Sequence, residues 1–199
     1  MTTIIESASF VANLKCQTPG FEGFLDVHEV GKPNGWRRPC DYLTINNYCN
    51  FPEIPREERW PFVFVCHQSN TGDLAYQILS RSDGQVVELD ITDELGYLVW
   101  RPHSSTPLAF WDIDMAGQIG GPPGPGKYSR LGLRRVGGNG NERPFTWLGL
   151  RERDGQLIPY KRFDEDKHWF CYVSADGRAH EAPLVYDLYV LEMGVVMPA

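Results

Sequence analysis

Residues 74–91 read LAYQILSRSDGQVVELDI, and this stretch decides the fold class. Ser82-Asp83-Gly84 sits between two β-rich runs, and Asp-Gly supplies the positive-φ positions of a tight turn at little steric cost. In the second run Val87, Leu89 and Ile91 share one face, while Glu88 and Asp90 share the other. A period of two with one apolar face is the pattern of a half-buried strand. The stretch therefore predicts an antiparallel hairpin.

The same grammar recurs along the chain. Arg153-Asp154-Gly155 and Ala175-Asp176-Gly177 each separate two β-rich runs. About a dozen strands are predicted in this way; examples are IIESASFVANL, FLDVHEV, DYLTINNY, FVFVCH, YLVWR, LAFWDID, YSRLGLRRV, FTWLGLRER, QLIPYKRF and HWFCYVS. LVYDLYVLE, near the C-terminus, is apolar on both faces, as a central strand should be. Helical periodicity is nearly absent; PREERW at 55–60 predicts one turn at most. Long loops are expected near 16–41 and at 116–127, where AGQIGGPPGPGK lacks β propensity. Many short strands at this spacing predict a single all-β domain over residues 1–199. The expected form is an antiparallel, jelly-roll-like β-sandwich, with a closed β-barrel as the alternative.

Composition narrows the class of function. With 199 residues, 42% of them apolar, the chain is long enough to bury about 70% of its unfolded surface without metal or disulfide. The N-terminus, MTTIIESASFVANLK, lacks the basic start and apolar run of a secretory signal, and no stretch approaches the ~20 apolar residues of a membrane span. A cytoplasmic location is expected. Of the five cysteines, Cys66 and Cys171 lie in apolar runs and read as buried thiols; Cys40 and Cys49 could pair only if local geometry allows. The net charge of −7 argues against nucleic acid or an anionic membrane as partner. Residues 127–162 hold nine Lys/Arg and three Asp/Glu, a net of +6, which leaves −13 on the rest. Such segregation can be satisfied within one molecule or by self-association, and a homo-oligomer is expected.

No nucleotide loop, serine-hydrolase elbow, zinc-protease or dinucleotide motif is present, so no cofactor, metal or catalytic residue is implied. Cys66 and His67 are neighbours on a predicted strand and should point to opposite faces, so they do not form a nucleophile–base pair. Asp112 and Asp114 should share a face beside the Gly/Pro-rich loop. They suit a cation or a polar ligand group, or they pair with Arg130, Arg134 or Arg135 in the next strand. Phe163-Asp164-Glu165-Asp166-Lys167 reads as a hairpin tip. Among six tryptophans, Trp100 begins a mixed aromatic and polar patch with Arg101, Pro102 and His103, and Trp111 adjoins the acidic pair. Trp100, Arg101, His103, Trp111, Asp112 and Asp114 are thus the candidate ligand-binding residues, for a small molecule or sugar.

Glu88-Leu89-Asp90-Ile91, then Leu98-Val99-Trp100-Arg101 and Ser104-Ser105-Thr106, resemble a strand pair of the bacterial AidA/PixA inclusion-body proteins. HWFCYVSADG followed by YDLYVLEMG is similar in layout to that family's C-terminal end, although the chain closes on MGVVMPA without the aromatic-Trp-Asp-Pro close of the family. The family's acidic N-terminal strand motif is missing too. The resemblance implies a β-sandwich, cytoplasmic accumulation and self-association, and carries over no catalytic residue. The expected function is a non-enzymatic protein that binds a small ligand or assembles with itself. The alternatives are a small β-barrel cyclase or isomerase with an apolar substrate, and a sugar-binding lectin.

Overall fold

The structure, a computed structural model, describes residues 2–29, 41–47, 61–82, 84–91, 96–103, 107–114, 122–136, 145–163, 169–175 and 182–195. These residues form sixteen strands. In chain order they are β1 (Thr3–Ile4), β2 (Phe10–Cys16), β3 (Gly23–Glu29), β4 (Asp41–Asn46), β5 (Phe62–Gln68), β6 (Leu74–Ser82), β7 (Gln85–Ile91), β8 (Leu98–Pro102), β9 (Phe110–Asp114), β10 (Gly126–Val136), β11 (Trp147–Leu148), β12 (Leu150–Arg153), β13 (Gln156–Pro159), β14 (Lys161–Phe163), β15 (Trp169–Ser174) and β16 (Tyr186–Met193). One 3-10 turn, Glu6–Ala8, breaks the first predicted strand in two.

The hairpin that decided the class is present. β6 and β7 pair with Ser82 opposite Gln85, and Gly84 takes a φ of +77° in the turn. The expected sandwich is corrected, however, to the barrel. Nine antiparallel strands close on themselves in the order β2, β16, β10, β9, β6, β7, β8, β4, β3 and back to β2. Closure comes from strands that divide one edge between two neighbours. β2 pairs with β16 along its length, while its other edge gives Phe10–Ala12 to β5 and Lys15–Cys16 to β3. β5 pairs with β6 as well, and so bridges two wall strands. Alternation along a strand is the same in a sandwich and in a barrel, so the sequence pattern cannot separate them.

Alternation fills the interior. Phe10, Ala12, Leu14 and Cys16 of β2 point inward with Phe62, Phe64 and Cys66 of β5. Phe10 and Phe64 stack at 4.7 Å, Tyr76 meets Phe10 edge-on at 5.4 Å, and Phe62 lies flat on Trp100 at 5.4 Å. Burying each such side chain stabilises the fold by about 1.5–3 kcal/mol. A smaller cluster, Val63, Val65 and Leu79 with Val11, Val86 and Val195, packs on the outside of the same strands.

Several predicted boundaries move. β3 lies inside the loop expected at 16–41. FTWLGLRER divides at Gly149 into β11 and β12, and QLIPYKRF divides at Tyr160 into β13 and β14. In the loop expected at 116–127, Gly126 and Lys127 already belong to β10, and the Tyr128 hydroxyl bonds both N–H and C=O of Gly124 at 2.9 Å. PREERW, Ser104–Thr106, Asp164–Lys167, the Asp176-Gly177 turn, Cys40 and Cys49 lie outside the described residues. Among the described residues no helix is long and apolar enough to cross a membrane.

Candidate functional site

Strand alternation divides the six candidate ligand-binding residues between the two sides of the barrel wall. Trp100 and Trp111 point inward and are 4% and 0% exposed, with indole N–H groups that have no hydrogen-bond partner among the described residues. Arg101, one residue on, points outward, and its Nε lies 2.8 Å from an Asp90 carboxylate oxygen. Asp112 and Asp114 do share the outward face of β9, and Arg134 of β10 sits between them. Its guanidinium is 2.5 Å from Asp112 and 3.9 Å from Asp114, and the Phe145 ring covers it at 5.3 Å. The register puts Arg134 directly opposite Asp112, so the acidic pair has its counter-charge in the neighbouring strand. Among the described residues no group of three or more His, Cys, Asp or Glu side chains is placed to hold a metal ion.

His103 belongs to a polar network that the sequence did not single out. β5, β6 and β7 send His67, Gln77 and Glu88 outward from the same patch of wall. Glu88 is 0% exposed. One carboxylate oxygen accepts the backbone N–H groups of Leu108, at 2.6 Å, and Ala109, at 3.4 Å. The other accepts Gln77 Nε2 at 2.9 Å and lies 3.3 Å from His103 Nδ1. The Gln77 carbonyl lies 3.3 Å from His67 Nε2 and can only accept, so Nε2 carries the proton. That tautomer leaves His67 Nδ1 as acceptor for the Thr2 hydroxyl at 3.4 Å. Burial lowers the His67 pKa, partly opposed by the Gln77 hydrogen bond and the Glu88 charge, so the ring is held neutral.

Chemically, this network fastens and orients. Three donors, the Leu108 and Ala109 N–H groups and Gln77 Nε2, occupy the Glu88 carboxylate, and through it the segment 107–109 is tied down over the wall. The His103 side chain is 29% exposed, and its Nδ1 lies 3.3 Å from the Glu88 carboxylate and 3.4 Å from Gln77 Nε2. Cys66 points into the core, away from His67, as the alternation predicted. Burial raises the pKa of the Cys66 thiol and pushes that of Cys171 up to about 12, which makes both poor nucleophiles. The clue to Glu88 was a charged residue one strand away from Gln77 on the same outward face. What buries it is a segment twenty residues further along.

A second outward feature is a ribbon. β11 and β14 pair with the same edge of β15, end to end. Between them the chain leaves the barrel as β12 and β13, a separate two-stranded sheet. Arg153 faces Gln156 across a two-residue turn in which Asp154 and Gly155 have φ of 53° and 75°, the type I′ geometry. Residues 151–157 are all exposed, Leu157 to 52%. The root is tightly built. Gly149 N–H bonds the Tyr172 carbonyl at 2.6 Å, Tyr160 N–H bonds the Gly149 carbonyl at 2.7 Å, and the Tyr97 hydroxyl donates to the Leu150 carbonyl. Tyr42, Tyr97 and Tyr160 pack around Tyr172 with centroids 4.7–5.9 Å from it. A side chain at Gly149 would bring its Cβ to 2.5 Å from the Tyr97 ring, so only glycine fits. Arg151 lies over Tyr160 at 5.2 Å. Compared with family models, curated proteins and solved structures, the chain matches none.

Proposed function

We propose that the chain is a non-enzymatic β-barrel protein that assembles with itself, and that the β12–β13 ribbon is its docking element. The observation that carries this reading is the ribbon's construction: it is exposed along residues 151–157 and among the described residues pairs with no barrel strand, yet stands on a collar of packed tyrosines. A lone two-stranded ribbon is marginal in water and adds little to a core. A collar that holds it upright makes physical sense if the ribbon presents a surface. The resemblance to the AidA/PixA proteins points the same way.

The lectin reading draws less support from the two tryptophans proposed as ligand residues, because Trp100 and Trp111 face the barrel interior among Phe62, Phe64 and Tyr76, away from solvent. The free, buried thiols of Cys16, Cys66 and Cys171 suit the reducing cytoplasm, where this reading places the protein.

Light scattering over a range of protein concentrations tests the reading. A dimer or larger species is expected for the full chain. A variant in which a short Gly/Asn linker replaces residues 151–158 should fold and be monomeric. A full chain that stays monomeric at high concentration, or a ribbonless variant that assembles as well, overturns the proposal.

A further inference from the structure

We infer that the contact is a two-fold one in which the free edge of β13 pairs antiparallel with β13 of a second copy, centred on Leu157. This rests on the self-assembly reading above and specifies its geometry. In a hairpin closed by the Arg153–Gln156 pair, the hydrogen-bonded positions are 153/156 and 151/158. The backbone N–H and C=O of Glu152 and Leu157 therefore point away from the ribbon, one on each edge.

The two edges differ in charge. β12 reads Leu-Arg-Glu-Arg and β13 reads Gln-Leu-Ile-Pro. Exposed edges are normally blunted by charge, by proline or by a cover. β12 has the charges. β13 has none, and its proline stands at the far end, where Pro159 faces Leu150. Self-pairing through β12 would set Glu152 against the Glu152 of the second copy, with Cα atoms about 5.5 Å apart, and like charges directly opposite repel. Self-pairing through β13 sets Leu157 against Leu157 and makes two reciprocal backbone hydrogen bonds. The two Glu152 strands then lie three strand spacings apart, about 14 Å, beyond the ~8–10 Å screening length. Pairing β12 with a partner's β13 leaves a free edge at each end and does not close, whereas the two-fold does. Charge thus selects the β13 edge, and the partner it fits is a second copy of this chain.

Cysteine cross-linking decides it. Leu157→Cys alters an exposed site, and across the two-fold the Cα separation of about 5.5 Å is within disulfide range. Mild oxidation should give a reducible covalent dimer joined at position 157, identified by peptide mapping; Glu152→Cys should not cross-link. Leu157→Lys should shift the wild-type dimer toward monomer by placing two ammonium groups on the axis. If the chain self-associates but the Leu157→Cys variant fails to cross-link, or the Glu152→Cys variant links as readily, this geometry is wrong and the self-assembly reading stands. If the chain is monomeric at every concentration, that reading fails and takes the geometry with it.

Discussion

The outer wall around Glu88 and the ribbon at β12–β13 are built from the same kinds of residue and reach opposite states. On the wall a carboxylate is fully buried; one oxygen accepts the Leu108 and Ala109 N–H groups and the other accepts Gln77 Nε2. On the ribbon Arg151, Glu152 and Arg153 stand in solvent, and the backbone edge at Leu157 is open. The difference is cover. Residues 107–109 fold across the wall, while no described strand pairs with the ribbon. Burial makes the wall's polar groups depend on one another, because an unanswered group there bears the full desolvation cost. Exposure leaves the ribbon's groups independent and available to a partner.

The largest effect that follows is at Glu88. Glu88→Leu keeps the volume and leaves the Leu108 and Ala109 N–H groups and Gln77 Nε2 without their acceptor. A loss of about 3–5 kcal/mol is expected, as for removal of one partner from a buried charged pair. In a domain of this size that lowers Tm by roughly 6–20 °C. Removing residues 151–158 should change stability by less than about 1 kcal/mol, because the ribbon contributes nothing to the barrel ladder. A Glu88→Leu variant that melts within 2–3 °C of wild type, about 1 kcal/mol, would mean that water already serves the wall, and the contrast would collapse.

Acid should separate the two regions next. The folded-state pKa of His67 lies below the unfolded value of 6.5. Between those values the unfolded chain binds the extra proton, so this residue's contribution is present above pH 6.5 and is lost as pH falls through the folded value. The slope cannot exceed about 1.4 kcal/mol per pH unit for one proton. The stability difference between wild type and His67→Gln, from denaturant titrations at pH 7.5 down to 5, should shrink as the pH falls. A difference that is flat or grows on acidification would show that His67 is not held neutral in the fold. If the ribbon sets oligomer size, as proposed, that size should not follow this dependence.

How far these regions were legible in the sequence follows the range of the interactions. The β6–β7 hairpin, the opposite facing of Cys66 and His67, and the shared face of Asp112 and Asp114 need only the period of a strand, and all three stood out. Arg134 was one of three arginines named as partners for the acidic pair, and the strand register selected it. The burial of Glu88 was not legible: alternation places the carboxylate on the outward face, and the segment that covers it is remote in sequence. The ribbon was hidden for the opposite reason. β strand periodicity runs through Gly149 and Tyr160 without interruption, so the place where the chain leaves the barrel carries no change of pattern. Its local marks are Gly149, which must fit against Tyr97 and Tyr172, and Pro159, which has no N–H to give a ladder where the chain returns.

The smallest effect expected is that of salt on assembly. The +6 of residues 127–162 against −13 elsewhere can be answered within one molecule or between two. The folded chain answers part of that charge internally. Lys127 pairs with Asp187 at 2.8 Å, and Arg134 pairs with Asp112 and Asp114. On the ribbon itself, Arg151 and Arg153 are balanced by Glu152 and Asp154, with Arg153 Nε 3.6 Å from Asp154. If the neutral edge of β13 pairs through backbone and leucine, as inferred, it has little for salt to screen. Raising ionic strength from 0.1 to 1 M shortens the screening length from ~10 to ~3 Å, yet the dissociation constant should move by less than about tenfold, or ~1.4 kcal/mol. Sedimentation or light scattering at the two salt concentrations measures it, with Arg151→Ala/Arg153→Ala as the companion variant. A hundredfold weakening in salt, matched by that variant, would place the contact on the ribbon's arginines and the acidic remainder of a second chain. Assembly that is indifferent to salt and to both arginines, but sensitive to Leu157→Lys, leaves the uncharged edge of β13 as the surface that associates.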